Sequence, residues 1–294
     1  MRRGYVVLAL VILAGLAAGA WFFKPVEGPA RDLTLAGDVT RGEYIIRLGG
    51  CVACHTDIAN EGAYLAGGVA IKTQFGDFTP PNITPDPDAG IGGWTLAEFS
   101  DAMSNGKGPG MLDHLYPAFP YDNYTLMTDQ DIVDLYAALM AVEPVAVPAP
   151  GHRLAFPFNM RVLMLGWKNM FFKPERFEID PARSELWNRG KYLANGPGHC
   201  SACHTPRNAL GGRDDARAFA GGEGTPGGKV PGITKARLQA EDYDRAGLVD
   251  ALKTGFTPGF NVLGGTMAEV IEEATSHWTD NDLDAVAAYL LDEE

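Results

Sequence analysis

The sequence predicts an all-α protein: two tandem helical domains that follow an N-terminal transmembrane helix. Three observations carry this prediction. Residues 5–23 form an uncharged apolar run, two long segments repeat each other, and all four cysteines fall in two C-x-x-C-H clusters. The chain divides accordingly into an anchor (5–23), a first domain (38–142), a linker (143–183) and a second domain (184–294). At 294 residues it is long enough for two domains that each bury a core. A hydrophobic content of 46% is ordinary for globular protein, and 36 glycines with 20 prolines suit long loops joining short helices. A formal charge of −13 argues against nucleic-acid binding and suits a soluble partner with a basic docking face.

In the anchor, Arg2 and Arg3 precede YVVLALVILAGLAAGAWFF, which Lys24 and Pro25 close. At helical rise the run reaches roughly 28 Å, about one hydrocarbon thickness. The leading positive charges predict a cytoplasmic N-terminus and a body carried across the inner membrane to the periplasm. Trp21, Phe22 and Phe23 suit the outer interface. Ala18-Gly19-Ala20 resembles a cleavage site, so a removed signal peptide is the competing reading. The run exceeds the usual 7–15-residue signal core, which favours an uncleaved anchor. On either reading the body leaves the cytoplasm.

The repeat is read from matched segments. Arg41-Gly42-Glu43-Tyr44 answers Arg189-Gly190-Lys191-Tyr192, Ile83-Thr84 answers Ile233-Thr234, and Thr128-Asp129 answers Thr279-Asp280. Such self-similarity means two copies of one unit. Each copy is expected to open with an amphipathic helix running into the cysteine cluster. A loop and a middle helix follow, at Thr95 to Ser104 and Asp244 to Thr254. A last helix then begins after a capping threonine, with acids in its first turn. Ile132, Leu135, Tyr136 and Leu139 space as one apolar face, as do Leu283, Val286, Ala287 and Leu290.

The clusters are Cys51-Val52-Ala53-Cys54-His55 and Cys200-Ser201-Ala202-Cys203-His204. C-x-x-C-H is the attachment sequence for haem c. Thiols one helical turn apart can each form a thioether to the macrocycle, and the adjacent histidine supplies a proximal nitrogen to iron. Two covalently attached haem c groups are therefore expected, on Cys51, Cys54 and His55 and on Cys200, Cys203 and His204. A disulfide framework has no further cysteine to use, and adjacent pairs staple little chain. A redox dithiol would not need the histidine, and a four-cysteine zinc site would leave both histidines unexplained.

With the haem motif near its start and a capped terminal helix at its end, each half resembles the class I cytochrome c fold. More closely, residues 38–294 are similar to dihaem relatives of the membrane-bound cytochrome subunits that serve periplasmic alcohol, gluconate and aldehyde dehydrogenases. The resemblance rests on RGEYIIRLGGCVACHTD, PNITPDPDAGIGGWTLAEF, LYPAFPY, CSACHTPRNALGG and GGTMAEVIEEATSHWTDND. Dehydrogenase-linked members commonly carry three haems; this chain has two motifs.

The resemblance implies a methionine as distal ligand shortly before each terminal helix. In the second domain this is Met267, twelve residues before Thr279. In the first, relatives often read YPAMPY where this chain has Phe119, which cannot ligate. Related PAFPY sequences often continue Y-T-x-M-T-D, as here, which points to Met127. Met127 also stands where an apolar residue staples a helix start, and its repeat counterpart is Trp278. Met111 and His114 lie in a loop able to fold over the haem, Met103 sits on the middle helix, and an open iron is the remaining reading.

The linker opens Pro-rich and continues as an apolar stretch from Asn159 to Phe172, too short and too charged to span a bilayer. It is expected either to lie at the membrane interface or to pack between the domains. The expected function is a membrane-anchored periplasmic dihaem cytochrome that relays electrons from a dehydrogenase or quinol-oxidising complex to an oxidase or another cytochrome. No catalytic constellation is evident. The alternatives are a peroxidase-like dihaem enzyme with an open first iron, and a docking subunit of a larger membrane complex.

Overall fold

The computed structural model describes residues 2–224 and 228–294. Helix α1 (Arg2–Phe22) stands largely exposed along its apolar run, and among the described residues it alone is long and apolar enough to cross a membrane. In the first half, α2 (Val39–Leu48) starts where the Asp38 carboxylate accepts the Arg41 N–H. Helix α3 (Cys51–His55) follows a left-handed Gly50. A hairpin of β1 (Ile71–Thr73) and β2 (Gly76–Phe78) precedes α4 (Leu96–Asn105), which opens on a capping box between Thr95 and Glu98. The short α5 (Tyr121–Tyr124) leads to α6 (Asp129–Ala141), capped by Thr128.

The linker contributes β3 (Arg153–Leu154) and α7 (Met164–Phe171). The second half contains α8 (Glu185–Asn195), α9 (Cys200–His204), a two-stranded sheet of β4 (Gly222–Glu223) and β5 (Lys229–Val230), α10 (Lys235–Ala240), α11 (Arg245–Thr254), α12 (Thr266–Glu273) and α13 (Asp280–Leu291).

The molecule is thus mostly helical, as expected of an all-α chain, with a few short strands added. In the first half β3 joins β2 antiparallel, so the linker completes a three-stranded sheet. The hairpin closes because the Thr73 hydroxyl bonds to Gly76 O (2.8 Å) and accepts the Phe75 N–H (3.1 Å). The linker helix is also shorter than its apolar residues suggest. The Ala155 N–H is held by Phe75 O (3.1 Å), so the chain must turn away from β3 before a helix can start. That helix does not lie free. Met164 and Trp167 pack on Phe78, Tyr116 and Tyr121, while the Trp167 indole N–H donates to Leu210 O (2.8 Å) in the second half. Asn169 Nδ2 donates to Lys24 O (2.8 Å) at the end of α1.

The repeated R-G-x-Y segment explains itself in three dimensions. Helix α2 crosses α6, and α8 crosses α13, at the glycine of each copy. A Cβ on Gly42 would run into Asp134 O, and one on Gly190 into Ala285 O. The arginine beside each glycine reaches the terminal helix of its own half: Arg41 Nε bonds Asp134 (2.7 Å) and Arg189 Nε bonds Asp282 (2.8 Å).

The tyrosine reaches across to the other half. Tyr44 OH donates to Asp282 (2.8 Å) and accepts the Thr279 N–H (2.9 Å), at the first turn of α13. Tyr192 OH donates to Asp131 and accepts the Thr128 N–H (3.1 Å), at the first turn of α6. Burial raises the pKa of both phenols, so each remains a donor.

Removing either phenol leaves a carboxylate and a helix-start N–H short of a partner. Tyr192→Phe is expected to cost about 1.5–3 kcal/mol of unfolding free energy, the range for a hydrogen bond to a charged group. Urea denaturation of the mutant against the native chain measures it, and Tyr44→Phe should behave alike.

Candidate functional site

The two C-x-x-C-H segments form the matched short helices α3 and α9, each placing two cysteines one turn apart and a histidine at its end. The imidazoles are held identically. His55 Nδ1–H donates to Pro81 O (2.7 Å), and His204 Nδ1–H to Pro231 O (2.8 Å). This fixes the tautomer and ring plane and leaves Nε2 as the lone-pair nitrogen. Burial lowers both histidine pKa values, and the carbonyl bonds oppose that only partly, so the rings are neutral.

The accepting carbonyls are positioned by a second repeated circuit. The Thr56 hydroxyl accepts the Leu65 N–H (3.0 Å), and Leu65 O accepts the Ile83 N–H (2.9 Å). In the second half Thr205 accepts from Phe219 (3.1 Å), and Phe219 O accepts from Ile233 (2.8 Å). Leu65 and Phe219 both adopt φ near +60° to make these turns. The sequence held a signal for this: a Pro-x-Ile-Thr recurs at Pro81 and Pro231, so the repeated Ile-Thr marks the carbonyls that hold the histidines.

The four thiols are free. Burial pushes Cys51 up to about 12, with Cys54 beside it adding to the shift, and burial pushes Cys200 up to about 12 as well. A dithiol working by exchange needs a depressed pKa, so these cysteines are not arranged as an exchange site. Two protonated thiols on one helical turn, followed by an imidazole with only Nε2 free, fit haem c.

Both motifs adjoin the seam between the halves. His199, at φ +38° just before Cys200, sends Nε2 to Gly49 O (3.1 Å), two residues before Cys51. The Tyr124 ring packs edge-on against His199 at 5.6 Å. Asn123 Nδ2 donates to Asn195 O (2.6 Å) and Ser201 Oγ (2.7 Å), and Arg213 donates back to Asn123 Oδ1 (2.8 Å). Arg47 pairs with Glu273 (3.2 Å), and a Cβ on Gly50 would touch Ala274. The bond of His199 across the seam depends on the docking of the two halves, so no motif in the sequence marks it.

The distal candidates separate clearly. Met267 is the second residue of α12, partly buried against the core cluster that also packs against Cys200. Met127 is 1% exposed, its side chain in the first-half core and its carbonyl bound by Arg31 (2.6 Å). Met103 is buried on α4 in the same core. Met111 stands 87% exposed at a loop tip. His114 faces α7: its ring nitrogen lies 3.5 Å from Lys168 Nζ, and its carbonyl accepts from Arg161 (3.1 Å). Lys168 itself is buried, capping α4 through Asn105 O and Gly106 O (2.6 Å each).

No family model matches the chain. It is 44% identical over 297 residues to a diheme cytochrome c-type protein of Cereibacter sphaeroides, covering 99% of this chain and 98% of that one. It is 37% identical over 287 residues to the fructose dehydrogenase cytochrome subunit of Gluconobacter japonicus, covering 96% of this chain. It is 36% identical over 301 residues to the cytochrome c subunit of the quinone alcohol dehydrogenase of Gluconobacter oxydans, covering 99% of this chain. The chain spans 57% and 60% of the lengths of those two dehydrogenase subunits.

Burial, reinforced by Lys168 and Lys107, lowers His114 from 6.5 to about 4. Between those values the unfolded chain binds a proton that the folded chain does not, so stability falls as pH drops through that window. In His114→Gln the fall between pH 7 and 5 should be shallower than in the native chain, as read by urea denaturation at both values.

Proposed function

The chain belongs to the dihaem c-type cytochromes, and we propose that it is a membrane-anchored periplasmic relay. It would take electrons from a dehydrogenase or a quinol-oxidising complex and deliver them to a terminal oxidase or another cytochrome. The observation that carries this reading is the pair of matched histidine–carbonyl frames, His55 on Pro81 and His204 on Pro231, set in halves that share one seam. Bound haem c supplies a one-electron iron couple. The protein's own contribution is to hold each imidazole in one tautomer, keep the thiols apolar, and bring the two attachment helices to a common boundary.

In this reading residues 38–142 and 184–294 are tandem class I cytochrome c units, residues 5–23 anchor them, and residues 143–183 join them. His55 and His204 are the proximal ligands, and Met267 is the distal ligand of the second haem. Two of the relatives named above are cytochrome subunits of dehydrogenases, which supports a dehydrogenase as donor. The charge of −13 supports docking through complementary fields.

The reading is tested by pyridine haemochrome analysis of the full chain extracted from membranes. Two haems c per chain are expected, falling to one in a Cys200→Ala, Cys203→Ala variant; none or one in the native chain would refute it. Release from membranes by detergent but not by salt or alkali is the expected behaviour of an anchored chain.

A further inference from the structure

The repeat can be aligned by its hydrogen bonds rather than by its residues. Helix α4 ends at left-handed Gly106 and α11 at left-handed Gly255. After each glycine the chain forms a loop with one antiparallel bridge, Lys107 to His114 and Phe256 to Val262. Each loop closes when a leucine N–H returns to that glycine's carbonyl: Leu115 to Gly106 O (2.8 Å) and Leu263 to Gly255 O (2.8 Å). Four residues beyond each closing leucine stand Phe119 in the first half and Met267 in the second. Both are partly buried, Phe119 against the cluster that holds Cys51 and Met267 against the one that holds Cys200.

Counting back from the last helix misses this match. Nine residues separate Phe119 from Thr128, and twelve separate Met267 from Thr279. The second half is three residues longer here: Met267 lies inside α12, which a short 3-10 turn at Thr275–His277 follows, whereas Phe119 precedes the four-residue α5. The other first-half candidates fall on counterparts that play no ligand role. Met127 matches Trp278, and both are buried core residues. Met103 matches Leu252, also buried, and Met111 matches Phe260, which is 89% exposed at the tip of the equivalent loop. His114 is engaged by Lys168 and turned to α7.

We propose that Phe119 takes the distal place on the first haem, leaving that iron an open sixth position behind an apolar ring. Phe119 packs edge-on against Tyr124 at 5.3 Å, which holds the phenyl in place. A phenyl side chain provides no hydrogen-bond donor or acceptor, so the position favours small uncharged diatomic ligands of ferrous iron over anions such as cyanide. The second haem, closed by Met267, is a pure electron carrier, so the two haems differ in chemistry within one frame. The inference rests on the haem c reading proposed above, and the haem count tests that reading separately.

The test uses the detergent-solubilised full chain with both haems confirmed by pyridine haemochrome. Dithionite-reduced protein titrated with carbon monoxide should bind a single equivalent per chain. The ferric spectrum should show a methionine–iron charge-transfer band with the amplitude of one site. Phe119→Met should abolish carbon monoxide binding and double the band, whereas Met127→Leu should change neither. If the native chain binds no carbon monoxide the proposal is overturned; if Met127→Leu removes the band of one haem and opens that haem to the gas, it is overturned and Met127 is the ligand.

Discussion

Tyr44 and Tyr192 exchange phenols between the two halves, and the placing of both attachment helices depends on that exchange. Each phenol sits where a terminal helix begins. It accepts a backbone N–H from the capping threonine and donates to an acid in the first turn. A helix start has spare N–H groups and favours negative charge, so it is a natural place for such a donor–acceptor group to dock. Because the R-G-x-Y segment lies on the helix that precedes each C-x-x-C-H, docking the tyrosines also docks the two C-x-x-C-H segments. His199 on Gly49, Asn123 on Ser201 and Arg47 on Glu273 then close the same seam.

Within each half the glycine and arginine of R-G-x-Y do a different job. Glycine removes the Cβ that would hold the first and last helices apart, and the arginine neutralises an acid buried where they cross. Asp134 is fully enclosed, and its cost of burial is offset by Arg41, Gln130 and the Asp38 N–H. The pocket residues need this rigid crossing. An imidazole aimed by one carbonyl bond keeps its direction only if the loop bearing that carbonyl is itself tied, and the Thr56 and Thr205 circuits tie it.

Much of this was legible in the chain. The C-x-x-C-H clusters form the short helices α3 and α9, the capping threonines located α6 and α13, and α4 and α11 begin within a residue of expectation. The repeat announced two similar halves. Less legible were elements that depend on distant partners: β3 pairs with a hairpin far back in the chain, and α7 is packed between surfaces from both halves. The roles of Pro81 and Pro231 were present as a recurring Pro-x-Ile-Thr, but a carbonyl has no residue identity and becomes visible only as a hydrogen bond.

The clearest contrast is in YPAFPY. Read linearly, Phe119 is a ligand missing from its motif and Met127 is the nearest sulfur. Aligned instead by the closing bonds of Leu115 and Leu263, Phe119 corresponds in position to Met267, and Met127 lies in the first-half core. By itself, the sequence determined the local chemistry of this protein: which thiols and imidazoles exist, how far apart they stand along the chain, and where its helices begin. Only the tertiary structure decided which residues of the two halves correspond and which face they present. Extra residues such as those between Met267 and Thr279 shift the count along the chain without moving the hydrogen-bonded frame.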